Sequence, residues 1–239
     1  MERLGIFVGV ACHKPWKQHT ESLAQFLLDC SLKYDIECLQ VYGKQLVDAQ
    51  NQIAERFLAS GKQYLLMIED DHWGFTLEML DALVKDNYYV CGMKYFSRHY
   101  PYVAMPMEWR SDEDPEDEFY RLFQMNVIGH PEGGYHPVGL CCFGMTAIRR
   151  EVFEELDKPY FQINKKGKRP STYATDSNFF TRLRSLGIIP MGCFDHCITH
   201  RWLNNETVES RRELAAGNSP FLSRYIMAHK NRELAKVTL

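Results

Sequence analysis

Residues 64–72 read YLLMIEDDH, an apolar run that passes directly into three carboxylates and an imidazole. The apolar part has the length and composition of a β-strand that is buried on both faces. Adjacent carboxylates inside such a strand would carry a large desolvation cost, so Glu69, Asp70 and Asp71 must lie where the strand ends. The chain therefore has to place an acidic cluster at one edge of a sheet.

In open α/β sheets, ligands bind outside the carboxyl ends of the strands. Three acids at that edge repel one another unless a cation neutralises them. Mg²⁺ or Mn²⁺ suits such oxygen ligands and is usually shared with substrate phosphates. The string 69–72 thus predicts a metal–diphosphate site. The alternative is a solvated turn that opens the next helix, because Asp is common near helix starts.

The first half of the chain alternates strand-like and helix-like segments. Apolar β-rich runs occur at 4–11, 37–42, 64–68 and 88–93, and helical spacing of apolar residues occurs at 20–32, 46–60 and 76–85. This alternation predicts an α/β fold with a mainly parallel sheet flanked by helices.

The second half is less regular, and its predicted elements mix loops with short strands and helices. They are a charged loop at 111–118, a strand at 120–128, a strand or strand pair at 138–148, a helix at 149–156, a polar loop at 162–172 with Lys165, Lys166, Lys168 and Arg169, a helix at 176–186, strands at 188–194 and 196–200, and a closing amphipathic helix at 219–234.

Composition narrows the class of protein. A length of 239 residues fits one large domain or two small ones, and a net charge of −3 gives no footprint for nonspecific nucleic-acid binding. The eight cysteines are scattered, as in proteins of a reducing compartment. No apolar run approaches the roughly 20 residues that span a bilayer. These features predict a cytoplasmic protein without a transmembrane segment.

Four potential zinc ligands occur close together, at Cys193, His196, Cys197 and His200. Alternate side chains of an extended strand point to opposite faces, so four ligands within eight residues cannot surround one ion. A single histidine of this strand serving a metal held elsewhere fits the spacing better than a structural zinc site.

The order of the motifs resembles that of the GT-A glycosyltransferases, enzymes that move a sugar from a nucleotide diphosphate to an acceptor. The resemblance covers residues 1–203. In its first half it rests on Glu69-Asp70-Asp71-His72 in the place of the acidic DxD-type motif, on Ala49-Gln50-Asn51 in the preceding helix, and on Arg98 and Pro101 after the next strand. In its second half it rests on the glycine-rich stretch 138–145 before Arg149-Arg150, the pair Tyr160-Phe161, Thr175-Asp176 at the start of a helix that ends at Gly187, and His200. Three residues depart from the family pattern. Glu69 stands for an Asp, Gln50 for an Arg, and Thr175 for the first acid of a pair.

The resemblance implies a GT-A-like, Rossmann-like single domain over residues 1–239. It divides into a nucleotide-binding half at 1–95, an acceptor half with a smaller antiparallel portion at 96–203, and a C-terminal helical tail at 204–239. The implied activity is metal-dependent transfer of a sugar from a nucleotide-diphosphate sugar to a hydroxyl acceptor, such as a glycan or a lipid. A nucleic-acid acceptor is not favoured.

The resemblance also implies roles for individual residues. Asp71 and His200 would bind Mn²⁺ or Mg²⁺, and Glu69 would reach the ribose or hold the metal through water. Asp176 would be the catalytic base of an inverting enzyme, or would orient the acceptor or the sugar in a retaining one. The donor pocket would be formed by Ala11, His13, Gln50, Asn51, Glu69, Asp70, Lys165 and Lys166.

Two alternatives to a glycosyltransferase stay open at the level of the sequence. The departures at Glu69, Gln50 and Thr175 allow a catalytically inactive nucleotide- or carbohydrate-binding module. A nucleotidyltransferase also uses acids at strand ends to hold a metal and phosphates.

Overall fold

The computed structural model describes residues 3–96, 104–105, 133–163 and 174–200. Several sequence predictions lie outside these residues. They are the Arg98 and Pro101 segment, the charged loop at 111–118, the strand at 120–128, the basic residues Lys165, Lys166, Lys168 and Arg169, and the closing helix at 219–234.

The described chain contains ten strands and five helices. The strands are β1 (Gly5–Cys12), β2 (Asp35–Tyr42), β3 (Tyr64–Glu69), β4 (His72–Trp73), β5 (Val90–Phe96), β6 (Ala104–Met105), β7 (Tyr135–Pro137), β8 (Met145–Arg149), β9 (Met191–Cys197) and β10 (Thr199–His200). The helices are α1 (Lys17–Ser31), α2 (Leu46–Ser60), α3 (Leu77–Val84), α4 (Arg150–Glu155) and α5 (Ala174–Ser185).

The main sheet has the strand order β2-β1-β3-β8-β5-β9-β7, with β6 paired to β5. Strand β1 pairs in parallel with β2 and β3, and β5 pairs in parallel with β9. Strand β8 lies antiparallel between β3 and β5, so β1, β2, β3, β5 and β9 all run in one direction. The predicted α/β fold with a mainly parallel sheet is confirmed. Because β8 is inserted between strands of the first half, the two halves of the chain share one sheet.

Helix α2 has the bounds that its apolar spacing predicts, residues 46–60. It ends at Gly61, whose φ of 75° is a left-handed conformation that glycine adopts without a steric penalty. A methyl group added at Gly9 of β1 would lie 2.2 Å from Cγ2 of Ile53, so the glycine lets α2 pack closely on the strand. Packing of this kind covers one face of β1, whose eight residues are all buried.

The prediction of a strand or strand pair over 138–148 is wrong for its first half, because within this stretch the regular strand begins at Met145, in Met145–Arg149. The preceding stretch is apolar because it is buried, and Cys142 has a φ of 53° that no regular strand allows. The hydroxyl of Thr146 donates a hydrogen bond of 2.5 Å to the carbonyl of Cys142 and so closes this turn. Met145 pairs with Ile68, which places the turn at the carboxyl end of β3.

None of the described helices is long and apolar enough to cross a membrane.

Candidate functional site

The carboxyl end of β3 carries the acidic string. Glu69 is the last residue of the strand, Asp70 and Asp71 form a turn, and His72 begins β4. Strand β10 pairs with β4 in antiparallel register, with His200 opposite His72. Two strands of two residues each therefore bring a distant histidine to the end of β3.

Asp71, His72 and His200 form a compact cluster in which one ligand atom of each residue lies within 4.8 Å of the others. Nε2 of His200 lies 3.2 Å from Oδ2 of Asp71. Nδ1 of His72 lies 2.9 Å from Oδ1 of Asp71, a close contact that lacks the alignment of a hydrogen bond. The two imidazole rings stack with centroids 4.3 Å apart. An oxygen and two nitrogens in this arrangement are a donor set for a first-row divalent cation.

The cluster is withdrawn from solvent, and this changes its protonation. Burial lowers the pKa of His72 to about 4, so this imidazole is neutral near pH 7, the form that binds a metal. Burial alone would raise the pKa of Asp71, but the hydrogen bond from His200 and the contact with His72 hold it well below its usual value. Asp71 is therefore a carboxylate at neutral pH.

A second layer of contacts holds the cluster in place from helix α1. Nδ1 of His19 lies 2.8 Å from the carbonyl oxygen of His72, which fits a ring N–H that donates to that carbonyl. One turn further along α1, the hydroxyl of Ser22 accepts hydrogen bonds from the backbone N–H groups of Gly74 and Phe75. The segment 72–75 is thus fixed to α1 at two points.

Asp70 points away from the cluster, towards the loop after β1. Its Oδ2 accepts hydrogen bonds from the backbone N–H groups of His13 and Lys14, at 2.7 and 2.8 Å. Asp70 therefore orders the loop that contains His13, one of the residues predicted for the donor pocket. Ala11 pairs with Glu69 in the β1–β3 ladder, so the loop and the acidic string lie at the same sheet edge.

Glu69 lies between His72 of the cluster and Ala11 at the end of β1. Its Oε2 is 3.8 Å from Nδ1 of His72, and its side chain is 29% exposed. This separation is longer than a direct hydrogen bond, so Glu69 contacts the cluster electrostatically.

The two helix α2 residues predicted for the donor pocket have different environments. Gln50 is completely buried, and neither polar atom of its amide has a hydrogen-bond partner in the described residues. Asn51 donates to the carbonyl of Phe161 and accepts from its backbone N–H, at 2.8 and 3.0 Å. The amide of Asn51 is thus engaged in tying α2 to the loop before α5, whereas that of Gln50 has unused hydrogen-bonding capacity.

Asp176 lies in the first turn of α5. The hydroxyl of Thr175 donates a hydrogen bond of 3.0 Å to its Oδ1. Burial raises the pKa of Asp176 to about 6, although hydrogen bonds from Thr175 and Cys142 act in the opposite direction. Helix α5 is anchored three residues later by Phe179, whose ring stacks on that of Phe161 at 5.0 Å.

Tyr95 packs against the two histidines of the cluster. Its ring contacts His72 edge-on at a centroid distance of 4.5 Å and His200 at 5.6 Å. The hydroxyl of Tyr95 and the thiol of Cys142 are both buried, and burial together with the carboxylates of Asp176 and Glu69 raises the pKa of each. The carboxyl ends of β3 and β5 and the start of α5 therefore lie near one another and carry polar side chains.

Sequence reasoning assigned no role to His72, Tyr95 or Cys142. His72 could have been found, because it directly follows the acids and is a metal-ligating residue type. Tyr95 and Cys142 carry no local signal, since each stands within an apolar run. The zinc alternative finds no support, because His200 joins Asp71 whereas Cys193 is buried in β9. Lys165 and Lys166 lie outside the described residues.

No protein-family model matches the sequence, and no curated protein matches it. Solved structures do resemble the fold. GalNAc-T7 with UDP, GalNAc and Mn²⁺ has a TM-score of 0.49 and 13% identity, and the match covers 90% of this chain and 48% of that one. A197 from STIV has a TM-score of 0.48 and 16% identity over 83% of this chain and 82% of that one.

A mannosyltransferase from Pyrobaculum calidifontis, solved with GDP-Man and Mn²⁺, has a TM-score of 0.44 and 12% identity over 90% of this chain and 61% of that one. At identities of 12–16% and TM-scores below 0.5, these similarities concern the fold and carry nothing about activity.

Proposed function

We propose that this chain is a metal-dependent glycosyltransferase that moves a sugar from a nucleotide-diphosphate donor to a hydroxyl acceptor. The observation that carries the proposal is the cluster of Asp71, His72 and His200 at the carboxyl end of β3. That edge of an open α/β sheet is where ligands bind. His200, 129 positions away in the chain, joins the adjacent Asp71 and His72 there, and a carboxylate with two imidazoles is a metal-binding set.

The donor atoms fit Mn²⁺ better than Mg²⁺. Mg²⁺ prefers oxygen ligands and water, whereas imidazole nitrogen suits the first-row transition metals. The buried Nε2 of His72 has no hydrogen-bond partner in the described residues, so this ring has donor capacity that the fold does not use. When bound, the cation would neutralise the negative charge that develops on the departing diphosphate.

Asp176 is the proposed catalytic base. A hydroxyl acceptor needs a base within hydrogen-bond reach, and a carboxylate with a pKa near 6 accepts a proton more readily than an ordinary Asp while still ionised at pH 7. This role applies to an inverting transferase. In a retaining one, the same carboxylate would orient the acceptor or the sugar.

The donor nucleotide is proposed to bind along the carboxyl ends of β1 and β3. Ala11, His13 and Glu69 lie at this edge, Asp70 orders its loop, and Gln50 has an unused amide. Asn51 would act indirectly, through Phe161 and α5. Lys165 and Lys166 stay a sequence prediction as contacts of the donor phosphates.

A donor assay tests the proposal. The protein is incubated with Mn²⁺ and a panel of nucleotide sugars, and release of nucleoside diphosphate is measured with and without EDTA, because many transferases slowly hydrolyse their donor. We expect metal-dependent release from one donor. Binding of a nucleotide without turnover would indicate an inactive binding module. Release of pyrophosphate from a nucleoside triphosphate and a sugar phosphate would indicate a nucleotidyltransferase.

A further inference from the structure

Helix α1 buries an imidazole on a face that is otherwise apolar. The buried side chains of this helix recur at helical spacing and are those of His19, Leu23, Phe26 and Cys30. His19 is completely buried, and its ring packs edge-on against Phe75 at a centroid distance of 5.9 Å. An apolar side chain in this place would avoid the cost of burying a polar ring. The imidazole of His19 therefore serves a purpose other than apolar packing.

The ring of His19 directs its hydrogen bond to the backbone of the metal cluster. Nδ1 lies 2.8 Å from the carbonyl oxygen of His72, and a carbonyl can only accept, so Nδ1 carries a proton and donates to that oxygen. The opposite atom, Nε2, is buried and has no hydrogen-bond partner in the described residues. A ring with its proton on Nε2 instead would leave a buried donor unsatisfied. The contact with His72 therefore sets the tautomer of His19.

The strand that receives this hydrogen bond is short. Strand β4 consists of His72 and Trp73, and it pairs with β10, which also has two residues. A two-stranded ladder of this length has little stability of its own. The hydrogen bond from His19 attaches β4 to a helix of 15 residues. Helix α1 thus supplies the rigidity that the short ladder lacks.

The backbone of His72 determines where its ring lies. The ring is completely buried, stacked on His200 at a centroid distance of 4.3 Å and edge-on to Tyr95 at 4.5 Å. A methyl group added at Gly144 would lie 2.9 Å from Nε2 of His72, so little free space surrounds the ring. A shift of the His72 backbone would therefore move the ring out of its stack with His200.

We propose that His19 is a positioning residue, whose hydrogen bond to the His72 carbonyl holds the His72 ring against His200 and so forms the cluster before a cation binds. The inference rests on the proposed function, in which His72 and His200 bind the metal. His19 itself lies outside the proposed set of ligands. A preformed site binds more tightly, because less conformational freedom is lost on binding. His19 should therefore raise the affinity for the cation without touching it.

Substitutions at His19 separate the position of the donor from the polarity of the side chain. His19→Asn places an amide N–H near the position of Nδ1, whereas His19→Gln places one near the position of Nε2. His19→Leu keeps an apolar side chain and removes the donor. His136→Leu is the matched control, because Nε2 of that ring lies 3.0 Å from the carbonyl oxygen of Gly133, a histidine–carbonyl contact away from the cluster.

The first test is made without metal. The nuclear Overhauser cross-peak between the ring protons of His72 and His200 is measured by NMR in the metal-free protein and assigned with His72→Ala and His200→Ala. We expect this cross-peak in the wild type, in His19→Asn and in His136→Leu, and its loss in His19→Gln and His19→Leu. A cross-peak that persists in His19→Gln and His19→Leu, or that is lost equally in His19→Asn, overturns the inference.

Calorimetric titration with Mn²⁺ gives a second readout of the same variants. We expect His19→Gln and His19→Leu to weaken Mn²⁺ binding by about tenfold, and His19→Asn to stay within about threefold of the wild type. Unchanged affinity in His19→Gln and His19→Leu would overturn the inference and leave the metal site intact. A wild-type protein that binds no Mn²⁺ would refute the proposed function, whereas the metal-free cross-peak would still decide whether His19 positions His72.

Discussion

Oδ2 of Asp71 and Nε2 of His200 lie 3.2 Å apart although 129 positions separate them in the chain. The pairing of β10 with β4 produces this proximity, because it sets His200 opposite His72. The resemblance of the motifs predicts that these two side chains approach each other, because both would bind one cation. Their role as metal ligands is a proposal, and it leads to the first prediction.

Metal preference follows from the donor set. We predict that the wild-type protein binds Mn²⁺ more tightly than Mg²⁺ in calorimetric titrations, because two of the three donors are imidazole nitrogens. His200→Ala should weaken Mn²⁺ binding by at least about tenfold and narrow the difference between the two ions. His136→Ala is the control, since His136 packs on Phe194 away from the cluster. Equal affinity for the two ions in the wild-type protein would contradict the proposal that His72 and His200 are metal ligands.

Asp176 should lower the stability of the fold at neutral pH. Its pKa is raised from 3.8 to about 6 in the folded protein, so the folded state holds a proton that the unfolded state releases between these values. Stability contributed by the protonated form is complete below pH 4 and is lost as the pH rises through 6. The cost above pH 6 amounts to about 3 kcal/mol.

Asp176→Asn removes this cost. We predict that urea unfolding at pH 8 shows the variant to be more stable than the wild type, by up to about 3 kcal/mol. The difference should shrink between pH 6 and pH 4, while transfer activity is lost at every pH. A variant that is less stable than the wild type at pH 8 would show that Asp176 makes favourable contacts as a carboxylate.

We expect Asp70 to contribute to the binding of the nucleotide and not to the binding of the metal. Asp70→Ala removes the acceptor of the His13 and Lys14 backbone N–H groups and so loosens the loop after β1. We predict weaker binding of nucleoside diphosphate at saturating Mn²⁺, with Mn²⁺ affinity changed less than about threefold. Asp35→Ala, which removes a surface ion pair with Lys62, serves as the control. It should change neither the affinity for nucleoside diphosphate nor the affinity for Mn²⁺. A loss of Mn²⁺ binding in Asp70→Ala would place Asp70 among the ligands.

Gly144 should be required for the positions of Tyr95 and His72 at the cluster. Gly144→Ala would press its methyl group against Tyr95 and His72, whereas Gly92→Ala would press one against Cys141 at 2.3 Å. Both substitutions should destabilise the protein by about 1–3 kcal/mol in urea titrations. Only Gly144→Ala should also weaken Mn²⁺ binding, because only that methyl group meets a proposed ligand. Equal Mn²⁺ affinity in the two variants would show that Gly144 is not required for metal binding.

The elements of the first half could be predicted because their signals are local. Helix α2 has its apolar face and a stop at Gly61, and β3 has five apolar residues followed by acids. The position of β8 could not be predicted, since an apolar pattern does not reveal which strands become neighbours. The apolar residues around Cys142 predict a strand where the structure has a turn, because burial of a loop produces the same composition as burial of a strand.

Some residues of the candidate site could be predicted from the sequence, and others could not. Asp71 and Asp176 stand out in the sequence because acids at the end of a strand and at the start of a helix carry a chemical meaning of their own. Tyr95 and Cys142 gain their relevance from neighbours that the fold supplies, His72 and His200 on one side and Asp176 on the other. Contacts of this kind depend on tertiary packing and leave no trace in local spacing.

Calorimetric titration with nucleoside diphosphates tests the metal–diphosphate site most directly. The wild-type protein is titrated with UDP, GDP, ADP and CDP, first with Mn²⁺ and then with EDTA, and Asp71→Ala is titrated with Mn²⁺. We expect one nucleotide to bind tightly with Mn²⁺ and its affinity to fall by at least about tenfold with EDTA. Asp71→Ala with Mn²⁺ should bind this nucleotide as weakly as the wild type does with EDTA. Equal nucleotide affinity in all three titrations, or no binding in any, would contradict it.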